Sequence, residues 1–232
     1  MNKETLIEDA LAAIKSSMTI MSNGFMGVKS AETLIDAIVE KGIKDLTLIS
    51  TDTATPNVGP GKLIHGRNVK KLYASHIGLN PETGSLMNSG ELEVELVPQG
   101  TLAERIRCGG SGLGGVLTPT GIGTEVEEGK QKITVDGKDF LLELPLHADV
   151  AIIKASVCDR AGNIFYRGTS KNFSTVMAMA ADYVIVEADE IVEIGELGPE
   201  QIMTPGIFVN AIVLAADKYS AENSTKKEYA HG

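Results

Sequence analysis

Two stretches of this chain are apolar almost without interruption: Asp149 to Val157, which reads DVAIIKASV, and Tyr183 to Ala188, which reads YVIVEA. A strand with one wet face alternates apolar and polar residues, whereas a strand covered on both faces reads as a near-continuous hydrophobic run. Both runs therefore belong to the inside of a parallel sheet with helices on either side. The sequence before them supplies helices. Leu6, Ile7, Ala10, Leu11 and Ile14 recur at helical spacing, which predicts an amphipathic helix over residues 3–15. Met18 to Met21 reads as a short strand, and after the loop from Ser22 to Lys29 a helix runs through Leu34, Ile35, Ile38 and Val39 to Gly42, with Ser30 as its N-cap.

Further strands are expected at Asp45 to Ser50, Val69 to Ala74, Glu91 to Val97 and Ile207 to Leu214, with short helices around Lys62 to His65 and over Phe173 to Ala181. Between Lys132 and Glu143, Asp136-Gly137 separates two alternating runs and signals a hairpin. The expected fold is a three-layer α/β/α unit with a largely parallel sheet and a small β excursion near residues 130–143. Residues 1–220 read as one domain, and residues 221–232 as a polar, disordered tail.

Composition limits the partners. A net charge of −10 argues against nucleic acid and anionic membranes, both of which select clustered Lys and Arg. Cys108 and Cys158 lack metal or disulfide spacing, which points to a reducing, cytoplasmic setting and no metal. The start, MNKETLIEDA, has no apolar core of a signal peptide, and no later run is long enough to span a membrane.

The densest candidate for a site is Val97 to Thr124, VPQGTLAERIRCGGSGLGGVLTPTGIGT. An apolar run ends there, Pro98-Gln99-Gly100 turns the chain into a helix, and Thr101 and Glu104 stand at capping-box spacing. Gln99 thus occupies a strand-to-helix corner. From spacing alone it reads as a helix-flanking amide that bonds nearby backbone. After Cys108 the glycines at 109, 110, 112, 114 and 115 allow close approach of a ligand or a second chain. Gly110, Gly112 and Gly115 match a dinucleotide-binding pattern only by chance, because they follow a helix where that fingerprint must leave a strand. His65, His76 and His147 are scattered over separate loops and form no nucleophile-base set.

The segments PQGTLAERIR, GGSG and TPTG, with DRAGN at Asp159 to Asn163 and the SKNF…MAMAA run from Ser170 to Ala181, resemble the alpha (A) subunits of family I coenzyme A transferases. The resemblance extends from Met18 to about Leu214. It implies transfer of CoA between a short-chain acyl-CoA and a carboxylate such as acetate, butyrate or acetoacetate. Coenzyme A is then a substrate, and no cofactor is held permanently. It also implies that Gln99 donates to the thioester carbonyl and its oxyanion, and that Asn23, Gly24, Phe25, Met26, Gly27 and Gly100 line the CoA channel. The loop departs from the family pattern: Gly24 and Phe25 keep it, whereas Asn23, Lys29 and Ala31 do not. Lys29 places a charge where the family has a glycine, positioned to change the loop's path or to meet a CoA phosphate.

Family I enzymes attack the thioester with a glutamate carried in a Ser-Glu-Asn-Gly motif of a beta subunit. This sequence has only Ser220-Ala221-Glu222-Asn223, a superficial likeness in the polar tail. The resemblance therefore implies half an enzyme, completed by a beta subunit in an α2β2 assembly. Two rivals are weighed beside it. A sugar-phosphate isomerase of similar architecture needs its own acid-base set at strand ends, and a non-catalytic ligand-sensing domain needs no nucleophile.

Overall fold

A computed structural model describes residues 1–216. Its main sheet is built from β1 (Thr19–Ser22), β2 (Leu46–Ser50), β3 (Val69–Ala74) and β4 (Glu93–Leu96), with three later strands. Those are β8 (Ala148–Asp159), β10 (Ala181–Val192) and β11 (Ala211–Leu214). They lie side by side in the order β11-β10-β8-β1-β2-β3-β4, and every pair in that series is parallel. The short β9 (Ile164–Phe165) adds antiparallel to β8. The two apolar runs lie in neighbouring interior strands, β8 and β10, each 12 residues long. The expected three layers are present, and the reason is visible in alternate residues. Ile20, Val150, Ile152 and Ile185 pack into one core with Leu34, Ile35, Ile38 and Leu63. Met21, Ala151, Ile153, Val184 and Val186 pack into a second core on the opposite face, with Leu102, Ile106 and Met177.

The first face carries α1 (Ile7–Ala10), α2 (Glu32–Glu40), α3 (Pro60–His65) and α4 (Pro81–Ser89), and the second carries α5 (Gln99–Gly110) and α6 (Ser174–Met179). The excursion is a separate antiparallel sheet of β5 (Val116–Thr118), β6 (Lys132–Val135) and β7 (Lys138–Glu143). Asp136 and Gly137 have φ of 50° and 73°, as a two-residue type I′ hairpin requires. Arg105 ties this sheet to the main one: its guanidinium donates to the Leu144 carbonyl at 2.8 Å and to Glu95 at 2.7 Å, and lies 3.8 Å from buried Glu143.

Several local expectations change. The helix foreseen over residues 3–15 shrinks to α1 and a 3-10 turn at Leu11–Ala13, because residues 3–5 are held extended against β11: Thr5 N–H donates to the Ile212 carbonyl and Ile212 N–H to the Lys3 carbonyl, both at 2.9 Å. Ser30 does not cap α2; Ala31 precedes it and offers no side-chain oxygen. Thr101 and Glu104 form no capping box, since α5 starts earlier, at Gln99, and Leu102 N–H already bonds the Pro98 carbonyl at 2.8 Å. Glu104 pairs with Arg107 instead. The last strand begins at Ala211, after a 3-10 turn at Gly206–Phe208. Helix α4 was not foreseen; Asn80 caps it by accepting from Glu82 N–H at 3.1 Å, and Gly90 ends it in the left-handed conformation at φ 77°. The expected polar tail, with Glu222 in it, lies outside the described residues.

Candidate active site

In a parallel sheet all strands point their carboxyl ends to one rim, and ligands gather there. On this rim β1 delivers Asn23, β2 delivers Thr51 and Asp52, β3 delivers Ser75, and β4 delivers Gln99 through the Val97-Pro98 corner. Hydrogen bonds join them in strand order. The Thr51 hydroxyl donates to the Gly24 carbonyl, Ser75 N–H donates to the Thr51 carbonyl at 3.1 Å, and the Ser75 hydroxyl reaches Gln99 Oε1. Gln99 and the 23–27 loop thus share one rim, three strand spacings or about 14 Å apart.

The expected site residues divide into two kinds. Asn23 is fully buried; its Nδ2 donates to Ser174 Oγ at 2.8 Å and its Oδ1 accepts from Lys154 N–H at 3.0 Å. It fastens the end of β1 to β8 and α6. Gly24 is buried too, and its carbonyl is taken by Thr51. Phe25 and Met26 are exposed, at 47% and 52%, with Val28 at 57% beside them. Phe25 and Val28 bond each other across a turn whose central residues, Met26 and Gly27, have φ of 53° and 79°. Gly27 is required for a second reason: a Cβ there would lie 2.1 Å from Val58 Cγ1. Asp52 holds this tip from below, accepting Met26 N–H on Oδ2 and Ala54 N–H on Oδ1, each at 2.8 Å. Gln99 and Gly100 are exposed, and nothing lies within 4 Å of where a Gly100 Cβ would be. The first turn of α5 is therefore open.

Lys29 adopts φ 57°, the left-handed region that a glycine would occupy at no cost. Its ammonium is 2.8 Å from Asp189, so its charge is engaged by the protein's own carboxylate. Behind it lies a buried set that was not foreseen. Lys154 contacts Asp189 at 2.7 Å and Glu187 at 2.9 Å, and all three side chains are under 5% exposed. Glu187 also accepts from Thr33 N–H at 2.9 Å and Leu34 N–H at 3.1 Å. This carboxylate is the cap of α2 that Ser30 does not provide, and its charge suits a helix N-terminus.

Packing accounts for the two glycines that close α5. A Cβ on Gly109 would stand 2.1 Å from the Leu146 carbonyl oxygen, and one on Gly110 would stand 2.6 Å from Met179 Cβ. They are glycine because α5 packs against the chain entering β8 and against the end of α6. Gly112 and Gly114 have open space around them. Two further polar groups are inert for acid-base work: burial pushes Cys158 up to about 12, and burial likewise pushes Tyr166 up to about 12. Tyr166 shares its hydroxyl with Thr204 at 3.0 Å. Among the described residues no group of His, Cys, Asp and Glu could hold a metal ion, and no helix is long and apolar enough to cross a membrane.

A parallel sheet with an amide at an open corner, glycine-bearing turns on its rim and buried carboxylates behind it is an α/β domain of the kind that gathers ligands at the carboxyl ends of its strands. The family model described as Coenzyme A transferase matches residues 4–215, and the chain belongs to that family. It is 54% identical over 211 residues to an acetate CoA-transferase subunit alpha of Escherichia coli K12, covering 91% of this chain and 96% of that one. It is 57% identical over 206 residues to an acetoacetyl-CoA:acetate/butyrate CoA transferase alpha subunit of Clostridium acetobutylicum, covering 89% and 94%. Among solved structures, glutaconate coenzyme A-transferase of Acidaminococcus fermentans superposes with TM-score 0.83 at 22% identity, over 99% of this chain and 83% of that one. An acyl-CoA transferase of E. coli O157:H7, in thioester complex with CoA, superposes with TM-score 0.84 at 23% identity over 94% of this chain. This chain spans about half the length of that enzyme, 50%. The isomerase and sensor alternatives find no support in these likenesses.

Proposed function

We propose that this chain is the alpha subunit of a heteromeric CoA-transferase that moves CoA between a short-chain acyl-CoA and acetate, butyrate or acetoacetate. The observation that carries the reading is its near full-length identity, 54% and 57%, to two alpha subunits with those activities in their names. A glutamate of a beta subunit attacks the thioester carbonyl, and the C–S bond breaks to give an acyl-glutamyl anhydride and CoA thiolate. The thiolate attacks the glutamyl carbonyl, releasing the first carboxylate and leaving a glutamyl-CoA thioester. The acceptor carboxylate reverses both steps, so each bond formed replaces one of similar kind and no redox partner is required.

Within that cycle Gln99 offers its amide N–H to the oxygen that becomes negative in each tetrahedral intermediate. A donor of this kind contributes about 3 kcal/mol, or roughly a hundredfold in rate. Gly100 leaves room above the helix for the thioester. The Phe25-Met26-Gly27 tip is positioned to border the CoA channel, with Asn23 and Gly24 fixing it from beneath. The working assembly is α2β2 in the cytoplasm, with CoA a substrate and no cofactor permanently bound.

The test is acetoacetate-dependent consumption of butyryl-CoA and acetyl-CoA by the chain alone and after co-expression with the beta subunit of the same source. Activity confined to the pair, lost on borohydride treatment after acyl-CoA is added, is the expected result. Turnover by the isolated chain would overturn it. Sedimentation of the pair distinguishes α2β2 from other stoichiometries.

A further inference from the structure

The rim contains a contact that fixes how Gln99 presents its amide. An amide carries an acceptor on one side and two donors on the other, and a freely rotating glutamine shows either face. The Ser75 hydroxyl has one proton and two oxygen neighbours, the Thr51 carbonyl at 2.7 Å and Gln99 Oε1. The Thr51 carbonyl already accepts the Ser75 N–H at 3.1 Å. Gln99 Oε1 has no other partner among the described residues, and the Thr51 carbonyl keeps the N–H when the hydroxyl turns away, so pointing the hydroxyl at Oε1 is the arrangement that gives both oxygens a donor.

We infer that Ser75 is a positioning residue for the transferase reaction: it accounts for the amide oxygen of Gln99 and leaves both N–H bonds of Nε2 turned to the open side of the rim. Ser75 is itself held firmly. It follows β3 directly, its N–H is tied to the Thr51 carbonyl just past β2, and the next residue, His76, makes an isolated parallel bridge to Asp52. The hydroxyl therefore approaches the corner from a fixed point of the sheet, while Gln99 sits on the first turn of α5. The consequence is preorganisation, since the donors face the developing oxyanion before substrate arrives and need not be turned over in each cycle.

This inference rests on the role proposed above for Gln99, and the experiment separates the two. Ser75→Ala, Ser75→Thr, Gln99→Ala and the Ser75→Ala/Gln99→Ala pair are assayed in the complex with the beta subunit, reading kcat and the KM for acyl-CoA separately. Loss of one neutral hydrogen bond that orients the donor is expected to lower kcat about tenfold in Ser75→Ala with KM within about twofold. Ser75→Thr, which keeps the hydroxyl, restores most of the rate. In the Gln99→Ala background the serine change adds nothing, because there is no amide left to orient. A full rate in Ser75→Ala alongside a large loss in Gln99→Ala overturns the role of Ser75 and leaves Gln99 standing. Equal losses from Ser75→Ala with and without Gln99 overturn it as well, by making the effect one of strand-end structure. A full rate in Gln99→Ala overturns the assignment of Gln99 and this inference with it.

Discussion

Lys29 shows how the rim loop is held, and two substitutions there separate the forces involved. At φ 57° an L-residue bears a backbone cost of about 1–2 kcal/mol. Against that stands an ion pair with Asp189, whose side chain is 3% exposed while that of Lys29 is 25% exposed. A hydrogen bond to a charged group contributes about 1.5–3 kcal/mol, and a quarter-exposed ammonium belongs at the lower end. Asp189 keeps Lys154 at 2.7 Å in either variant, so no carboxylate is left buried alone. Lys29→Met loses the pair and keeps the backbone cost, which destabilises the closed loop by about 2 kcal/mol. Lys29→Gly loses the pair, removes the backbone cost and adds roughly 0.5–1 kcal/mol of chain entropy, for a net of about 1 kcal/mol. The assay is amide hydrogen exchange at Val28, whose N–H donates to Phe25 at 2.9 Å, and at Met26, whose N–H donates to Asp52. At 1.4 kcal/mol per factor of ten, exchange should quicken about 25-fold in the methionine variant and about fivefold in the glycine variant. The apparent affinity for acyl-CoA should scarcely move. The reasoning is refuted by unchanged exchange in both variants, or by a glycine variant looser than the methionine one. A salt-dependent loss of CoA affinity would mean that the ammonium meets a phosphate after all.

Glu187→Ala removes the acceptor for Thr33 and Leu34 N–H and one of the two carboxylates around buried Lys154. Breaking a buried pair costs about 3–5 kcal/mol, so the urea midpoint should fall sharply, and a midpoint near wild type would show that the set is dispensable. Gly109→Ala drives a Cβ to 2.1 Å from the Leu146 carbonyl and should lower the melting temperature by more than Gly112→Ala, which meets nothing within 4 Å but sits at φ 66°. Cys158 and Tyr166 bear on alkaline stability. Burial raises the folded thiol from 9.0 to about 12 and the folded phenol from 10.0 to about 12. Both favour the folded state fully below the unfolded values, and the contribution is lost as pH rises from about 9 to 12. The urea midpoint should therefore be lower at pH 10.5 than at pH 8, and iodoacetamide at pH 8 should leave Cys158 unlabelled until the chain unfolds. An equal or higher midpoint at the alkaline pH would contradict the assignment.

The sheet was legible because its strands are made of what a two-sided core demands; DVAIIKASV and YVIVEA admit little else. Helix α4 escaped because PETGSLMNS has no apolar stripe, burying only Thr83 and Leu86, although Asn80-Pro81 and Gly90 were readable as its start and stop. The capping-box spacing at Thr101 and Glu104 misled because the rigid Pro98 corner begins α5 sooner. The buried ion set left a trace that was available: each of the two apolar runs has one charged residue in its interior, Lys154 in the first and Glu187 in the second. Charges inside a doubly covered strand must pair, and the parallel register places these two opposite each other. Distances between loops are another matter. That Ser75 reaches Gln99 depends on β3 and β4 being neighbours, and the order of strands is not written in any single one of them.

Under the proposed function, the carboxylates behind the rim also bear on why the attacking glutamate would come from a second chain. A nucleophilic glutamate must be accessible and able to give up its hydrogen bonds as it attacks. Asp52 is 2% exposed and holds two backbone N–H groups. Glu187 is fully buried and holds α2 and Lys154, and Asp189 is shared by two ammonium groups. Freeing any of them would strip the backbone N–H or ammonium groups it now holds of their partner, so each is poorly placed to serve as the nucleophile of the proposed reaction. The proposed function divides the labour. The rim carboxylates hold the scaffold, an amide stands at the open corner, and the attacking anion would come from the proposed beta subunit. A glutamate grafted onto this rim in place of Gly100 should accordingly fail to make the isolated chain active, because it would gain an attacking group without the pocket that orients the acyl carbon. Measurable turnover from such a variant would show that the second chain supplies only the nucleophile.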